Sequence, residues 1–152
     1  MKIGLVLDDT LDKDDGVQTA VITIGKWLSK QGHEVHYLVG QTERKDLGHV
    51  HSLGKYISLH YNKNNVRLVM PGGRKKIKQL VQSENFDVLH IMLPYNPFMG
   101  KQVIRYAGPN TAVIGTFHIL PASSLQSFSN QLLRLMLGRS LRRFDNVMAV
   151  SE

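Results

Sequence analysis

Apolar residues fall into two kinds of run along this chain, and their order predicts an architecture. Lys2-Ile3-Gly4-Leu5-Val6-Leu7 is a short apolar block that ends in a polar, acidic stretch from Asp8 to Gly16. Val17, Ala20, Val21, Ile24 and Leu28 then recur at spacings of three and four, the pattern of a helix with one apolar side. Gly32 follows where a left-handed residue closes such a helix, and residues 35–39 form a second apolar block. Strand, loop, helix, turn and strand in this order predict a βαβ unit, with parallel strands joined by a right-handed crossover.

The alternation continues to the end of the chain. Residues 56–61 and 66–70 are strand candidates, the second stopped by Pro71-Gly72-Gly73. A basic helix is expected over 74–83, a buried strand over 86–93, a helix over 98–107 and a strand over 111–117. A long helix over 123–137 and a last strand over 147–150 complete the pattern. The strand blocks are continuously apolar rather than alternating. That predicts a Rossmann-like, doubly wound α/β fold: a mostly parallel sheet with helices on both faces. Ligands of such folds lie beyond the carboxyl ends of strands, so the loops after Leu7, Met92 and Phe117 are where a site is expected.

With 152 residues the chain has room for one such domain and not for two. Cysteine is absent, which removes disulfides and thiolate metal ligands and fits a reducing cytoplasm. The apolar start is too short for a signal peptide, and no stretch reaches the roughly 18 apolar residues of a spanning helix. The expectation is a cytoplasmic protein, at most peripheral on the membrane. Its formal net charge of +7 favours anionic partners. The cations gather in Arg74-Lys75-Lys76-Ile77-Lys78 and again at Arg139, Arg142 and Arg143, the latter just past a helix bearing Leu133 and Leu137 off its main apolar side. Arginines beside apolar residues suit contact with anionic lipid; a solvated face beside a packed one is the alternative. Nucleic acid is not an expected partner, because aromatic residues do not interleave the basic clusters and no nucleic-acid motif occurs.

Several short motifs sit at the predicted strand ends. They are Lys2-Ile3-Gly4-Leu5-Val6, Gly16-Val17-Gln18, Gly32-His33-Glu34-Val35, Tyr61-Asn62, Phe86-Asp87-Val88-Leu89-His90-Ile91, Thr116-Phe117-His118 and Ala149-Val150-Ser151-Glu152. In this order and spacing the chain resembles retaining GT-B glycosyltransferases of the group typified by the bacterial phosphatidylinositol mannosyltransferases. The resemblance implies that residues 1–152 are a single acceptor-binding domain, the N-terminal half of a two-domain enzyme. The nucleotide-sugar-binding C-terminal domain would lie outside this chain, which ends directly after a strand and is expected to be inactive alone. The whole enzyme would transfer a sugar from a nucleoside-diphosphate sugar to a lipid-linked or polyol-phosphate acceptor, with retention and without a tightly bound cofactor. A stand-alone, non-catalytic binding module serving a separate catalytic subunit is the alternative. An unrelated dinucleotide binder is disfavoured, since no G-x-G-x-x-G follows the first strand.

The candidate residues follow from both lines. In Asp15-Gly16-Val17-Gln18, a glycine at a helix start allows a phosphate to approach free N–H groups, or simply permits a tight turn. The family usually has two glycines here; Asp15 replaces the first and brings a carboxylate that repels anions. By the resemblance, Gln18 contacts the acceptor head group, and Asn62 reaches an inositol-phosphate head group, although Asn62-Lys63-Asn64-Asn65 by composition is a turn. His118 is assigned by resemblance to the reacting centre, where it contacts the donor sugar, and Thr116 to the substrate-binding edge; a histidine merely ending a strand is the bland reading. Met92-Leu93-Pro94 and Ile119-Leu120-Pro121 replace more polar family segments and predict a more apolar acceptor pocket. His90 reads as a hydrogen-bonded core residue. Asp8, Asp9, Asp12, Asp14 and Asp15 read as a solvated loop in preference to a cation or sugar site. His49-x-His51 has no third ligand at recognisable spacing, so no metal is expected.

Overall fold

The computed structural model describes residues 1–61, 64–71, 73–92, 99–117, 138, 140 and 142–149. In chain order the elements are β1 (Lys2–Leu7), α1 (Gly16–Lys30), β2 (Glu34–Val39), β3 (Val50–Ser52), β4 (Gly54–Tyr61), β5 (Asn64–Pro71), α2 (Arg74–Glu84), β6 (Val88–Met92), α3 (Met99–Tyr106), β7 (Ala112–Phe117) and β8 (Asn146–Ala149). Six of the strands form one sheet in the order β3-β2-β1-β6-β7-β8, every pairing parallel. This is the doubly wound order, in which the chain leaves β1 in one direction and later returns to its other side.

Side chains alternate between the two faces of β1, so the core has two layers. Ile3, Leu5 and Leu7 pack with Val21, Val35, Tyr37 and Val39, under Val17, Ile24 and Leu28 of α1. Val6 packs on the opposite face with Leu38, Leu89 and Ile91, under Ile77 and Val81 of α2 and Met99, Val103 and Ile104 of α3. Helices therefore cover both faces, and the expected α/β architecture holds.

The apolar spacing of α1 locates the helix but not the centre of its buried stripe. The fully buried residues are Gln18, Val21 and Gly25, while Val17, Ala20, Ile24 and Leu28 flank them half-buried. A Cβ at Gly25 would overlap the ring and hydroxyl of Tyr37, so this glycine brings α1 down onto β2. Gly32, at φ 82°, ends the helix as expected, with its N–H on the Ser29 carbonyl and the His33 N–H on that of Leu28.

Two features depart from the predicted pattern. The strands expected over 56–61 and 66–70 form a separate antiparallel ribbon, with Gly54 opposite Pro71 and Tyr61 opposite Asn64. Val50-His51-Ser52 was not expected to be a strand, since it carries one apolar residue; it joins the edge of the sheet through its backbone, with Tyr37 opposite Val50. The helix expected over 123–137 lies outside the described residues.

Candidate active site

The strand order reverses between β1 and β6, and their carboxyl ends, Leu7 and Met92, lie in register. A crevice beyond this point is where doubly wound folds hold ligands. Asp8 stands immediately beyond β1 and is buried. Its Oδ2 accepts a hydrogen bond of 2.8 Å from the Met99 N–H, so the start of α3 is fastened to the end of β1. Burial pushes the Asp8 carboxyl up to about 6, against the lowering effect of the Met99 and Gly100 N–H groups.

That shift has a sign for stability. The folded carboxyl holds its proton more tightly than the unfolded one, so stability is fully present below about pH 3.8 and falls as the pH rises to about 6. Asp8→Asn keeps an oxygen for the Met99 N–H and removes the buried charge. It is expected to stabilise the fold above pH 6 by at most about 3 kcal/mol and to flatten the pH dependence between 4 and 6. Urea melts of both proteins across that range measure this; parallel pH profiles would contradict it.

Beyond Asp8 the chain turns into α1. Asp15 precedes the helix in an extended conformation (φ −88°, ψ 160°), and its side chain makes no capping hydrogen bond. The first helical bond runs from the Thr19 N–H to the Asp15 carbonyl. The N–H groups of Gly16, Val17 and Gln18 thus lead the helix, with its positive dipole end behind them. Gly16 is exposed, its φ is not positive, and a Cβ built on it meets nothing within 4 Å among the described residues. No turn requires this glycine. It keeps the helix start bare.

One turn on, Gln18 is buried at 3% exposure. Its Nε2 donates to Asp9 Oδ2 at 3.3 Å, and its Oε1, also buried, accepts no hydrogen bond among the described residues. Asp9 also accepts from the Thr10 N–H and pairs with Lys13 at 3.5 Å. Asp12 reaches the loop that follows β2, accepting from the Thr42 hydroxyl and the Glu43 N–H. Burial acts to raise the Asp12 pKa, but the hydrogen bonds from Thr42, Thr10 and the Glu43 and Arg44 backbone hold it below the usual carboxylate range. The stretch read as a solvated loop is therefore built: Asp8, Asp9 and Asp12 tie it to α3, α1 and the β2 loop, and Asp14 and Asp15 face solvent.

Thr116 lies inside the sheet and not at its rim. It is 6% exposed, and its hydroxyl is 2.7 Å from Nε2 of His90 on the neighbouring strand. His90 is the buried, hydrogen-bonded core residue that its mid-strand position predicted. Asn62, His118 and Arg139 lie outside the described residues.

The basic positions divide. Arg74, Lys75, Lys78 and Arg142 are exposed, and Lys76 donates to the Ser52 carbonyl at 2.8 Å. Arg143, grouped by sequence with the lipid-facing cations, turns inward instead. Its Nη2 donates to the Gly108 and Thr111 carbonyls at 2.9 and 2.7 Å, and its Nη1 pairs with Asp145 at 3.2 Å.

One cluster was invisible to spacing along the chain. His49 and His51 meet His36 and Glu34 from the adjacent strand β2. The His36 ring stacks on those of His49 and His51, with centroids 4.6 and 5.1 Å away. Glu34 begins β2, His49 directly precedes β3, and His51 lies opposite Leu38.

A parallel sheet with a bare helix start at its switch point is a doubly wound α/β domain with its ligand crevice beyond β1 and β6. Residues 15–152 match the family described as Glycosyltransferase Family 4, and the chain belongs to that family. It is similar to the phosphatidyl-myo-inositol mannosyltransferase of Mycolicibacterium smegmatis, with 34% identity over 82% of this chain and 32% of that protein. The protein of the same name from Propionibacterium freudenreichii is 29% identical, over 100% of this chain and 41% of its own length. The chain thus spans about a third to two-fifths of these relatives. Among solved structures, an alpha-glucosyltransferase in complex with UDP and a 13-mer DNA matches 98% of this chain and 37% of its own, with a TM-score of 0.60 and 18% identity. That likeness is one of fold, and the fold is that of GT-B glycosyltransferases.

Proposed function

We propose that this chain is the acceptor-binding half of a retaining glycosyltransferase that moves a sugar from a nucleoside-diphosphate sugar to a lipid-linked or polyol-phosphate acceptor. The observation that carries the reading is the pairing, at the switch point, of a bare α1 start at Gly16 with the buried Gln18 amide. Backbone N–H groups and a helix dipole suit a phosphate, and an amide with a spare acceptor suits a polyol hydroxyl beside it. The similarity to phosphatidyl-myo-inositol mannosyltransferases supports this acceptor class. Asp15 precedes the bare N–H groups with an exposed side chain that makes no capping hydrogen bond to them.

In this reading the donor diphosphate is held by a second domain, and no resident cofactor is needed. His118, the residue after β7 in sequence, contacts the donor sugar at the reacting centre, and Asn62 reaches the acceptor head group. Sugar transfer from radiolabelled nucleoside-diphosphate sugars to phosphatidylinositol by the full-length protein tests it. His118→Ala is expected to cut transfer about ten-fold or more. Unchanged transfer by a folded His118→Ala protein would remove that residue from the site.

A lipid-linked acceptor places the domain beside a membrane, on its cytoplasmic face. Among the described residues no helix is long and apolar enough to cross one. Exposed Arg74, Lys75, Lys78 and Arg142 supply the attraction to anionic lipid in this proposal. Each basic residue near such a surface contributes about 1 kcal/mol, so Arg74→Gln/Lys75→Gln/Lys78→Gln is expected to weaken binding to phosphatidylglycerol vesicles about 10²-fold at low salt. Arg143→Ala is expected instead to lower the melting temperature and leave vesicle binding unchanged, because its guanidinium serves Gly108, Thr111 and Asp145. Sedimentation with and without phosphatidylglycerol separates the two.

A further inference from the structure

The histidine cluster at the β2–β3 edge has no role in sugar transfer as described above, and its chemistry is that of a metal site. Glu34 Oε1 and the ring nitrogens of His36 and His49 lie within 4.8 Å of one another. Two imidazoles and one carboxylate are a donor set that suits zinc and the neighbouring divalent transition metals, and not magnesium. We propose that Glu34, His36 and His49 bind a divalent transition-metal ion, zinc foremost, which ties the segment between β2 and β3 to the start of β2.

The three ligands differ in freedom in a way that favours this role. His36 is 2% exposed and fixed on every side: Phe86 meets its ring edge-on at 5.3 Å, and His49 lies parallel to it. Glu34 and His49 are exposed and can rotate. Tetrahedral zinc ligands lie about 3.3 Å from each other. Glu34 Oε1 already stands 2.9 Å from His36 Nε2 and gives way slightly, while His49, now parallel to the His36 ring, turns so that its nitrogen faces the same ion. Water completes the coordination.

An orienting partner is already in place. His36 Nδ1 lies 3.0 Å from His51 Nε2, and His36 Nε2 lies 2.9 Å from Glu34 Oε1. With the metal on Nε2, the His36 proton resides on Nδ1 and is donated to His51, the outer hydrogen bond that metal-bound histidines commonly make. Lys2 competes for Glu34, at 3.2 Å, but also holds Glu84 at 2.8 Å and keeps that partner when the metal takes Glu34.

Calorimetric titration of the 152-residue chain with zinc chloride tests the assignment. The expected result is one zinc per chain and an affinity lowered at least about ten-fold in both Glu34→Gln and His49→Ala. Both positions are exposed, and circular dichroism checks that the variants fold. Zinc should also raise the melting temperature of the wild-type chain and not that of His49→Ala. Absence of stoichiometric zinc binding, or an affinity unchanged in either folded variant, overturns the three-ligand site.

Discussion

Replacing Gly16 by valine is expected to reduce sugar transfer by the full-length protein about 10²-fold and to leave its melting temperature within about 2 °C of the wild type. The two halves of this result come from one fact, the open space around Gly16. A Cβ there meets nothing within 4 Å among the described residues, so the folded state does not resist a side chain. Valine is also no worse than glycine in the first turn of a helix, and surface changes of this kind stay within about 0.5 kcal/mol. A phosphate approaching the N–H groups of residues 16–18, however, meets a branched side chain in its path. A displacement of about 1 Å from productive geometry costs about 10²-fold in rate. Parallel transfer assays and thermal melts check both halves. Full activity would show that the acceptor does not approach the start of α1.

The second large effect is on folding, at the other constrained glycine of α1. Alanine normally improves a helix interior by about 1 kcal/mol over glycine. Gly25→Ala should do the reverse. Its Cβ would overlap the ring and hydroxyl of Tyr37, which is 3% exposed on β2 and has nowhere to turn. Either α1 lifts off the sheet or Tyr37 leaves the core, at a cost of about 3 kcal/mol net of the propensity gain. For a domain of this size that lowers the melting temperature by about 10 °C. Tyr37→Leu in the Gly25→Ala background is expected to recover part of the loss. A Gly25→Ala protein as stable as the wild type would show that α1 and β2 are not in contact at that point.

These two glycines also show what the amino-acid pattern carries and what it does not. Periodicity located α1, and continuous apolar blocks located β1, β2, β6 and β7, because burial on both sheet faces demands them. The same periodicity places the stripe on Val17, Ala20, Val21, Ile24 and Leu28. Gly25 and Gln18, which lie at its centre, are silent to any count of apolar residues. One leaves room for Tyr37, and the other hydrogen-bonds to Asp9. β3 was missed for a similar reason: an edge strand of three residues is held by backbone pairing with β2, which needs no apolar side chain.

The candidate site was legible where function rests on local sequence. Gly16 and Gln18 sit within one helical turn, and the family motif reads them directly. The histidine cluster depends on the pairing of Leu38 with His51, which brings His36 under His49 from a strand 13 residues earlier. Spacing along the chain cannot show a ligand supplied by the neighbouring strand. Arg143 was misgrouped for the complementary reason. Its neighbours in sequence are cationic, but its partners are the carbonyls of Gly108 and Thr111, some 30 residues back, and Asp145.

Under the proposed function, the start of α1 at the β1–β6 switch point receives the phosphate and polyol of the acceptor. Titration of the isotopically labelled chain with inositol 1-phosphate, followed by backbone amide NMR, tests it most directly. The largest shifts are expected on the Gly16, Val17 and Gln18 amides, with the Gln18 side-chain amide moving in the same titration and all of them silent in the Gly16→Val protein. Saturable shifts centred elsewhere, with residues 16–18 unmoved, would contradict it.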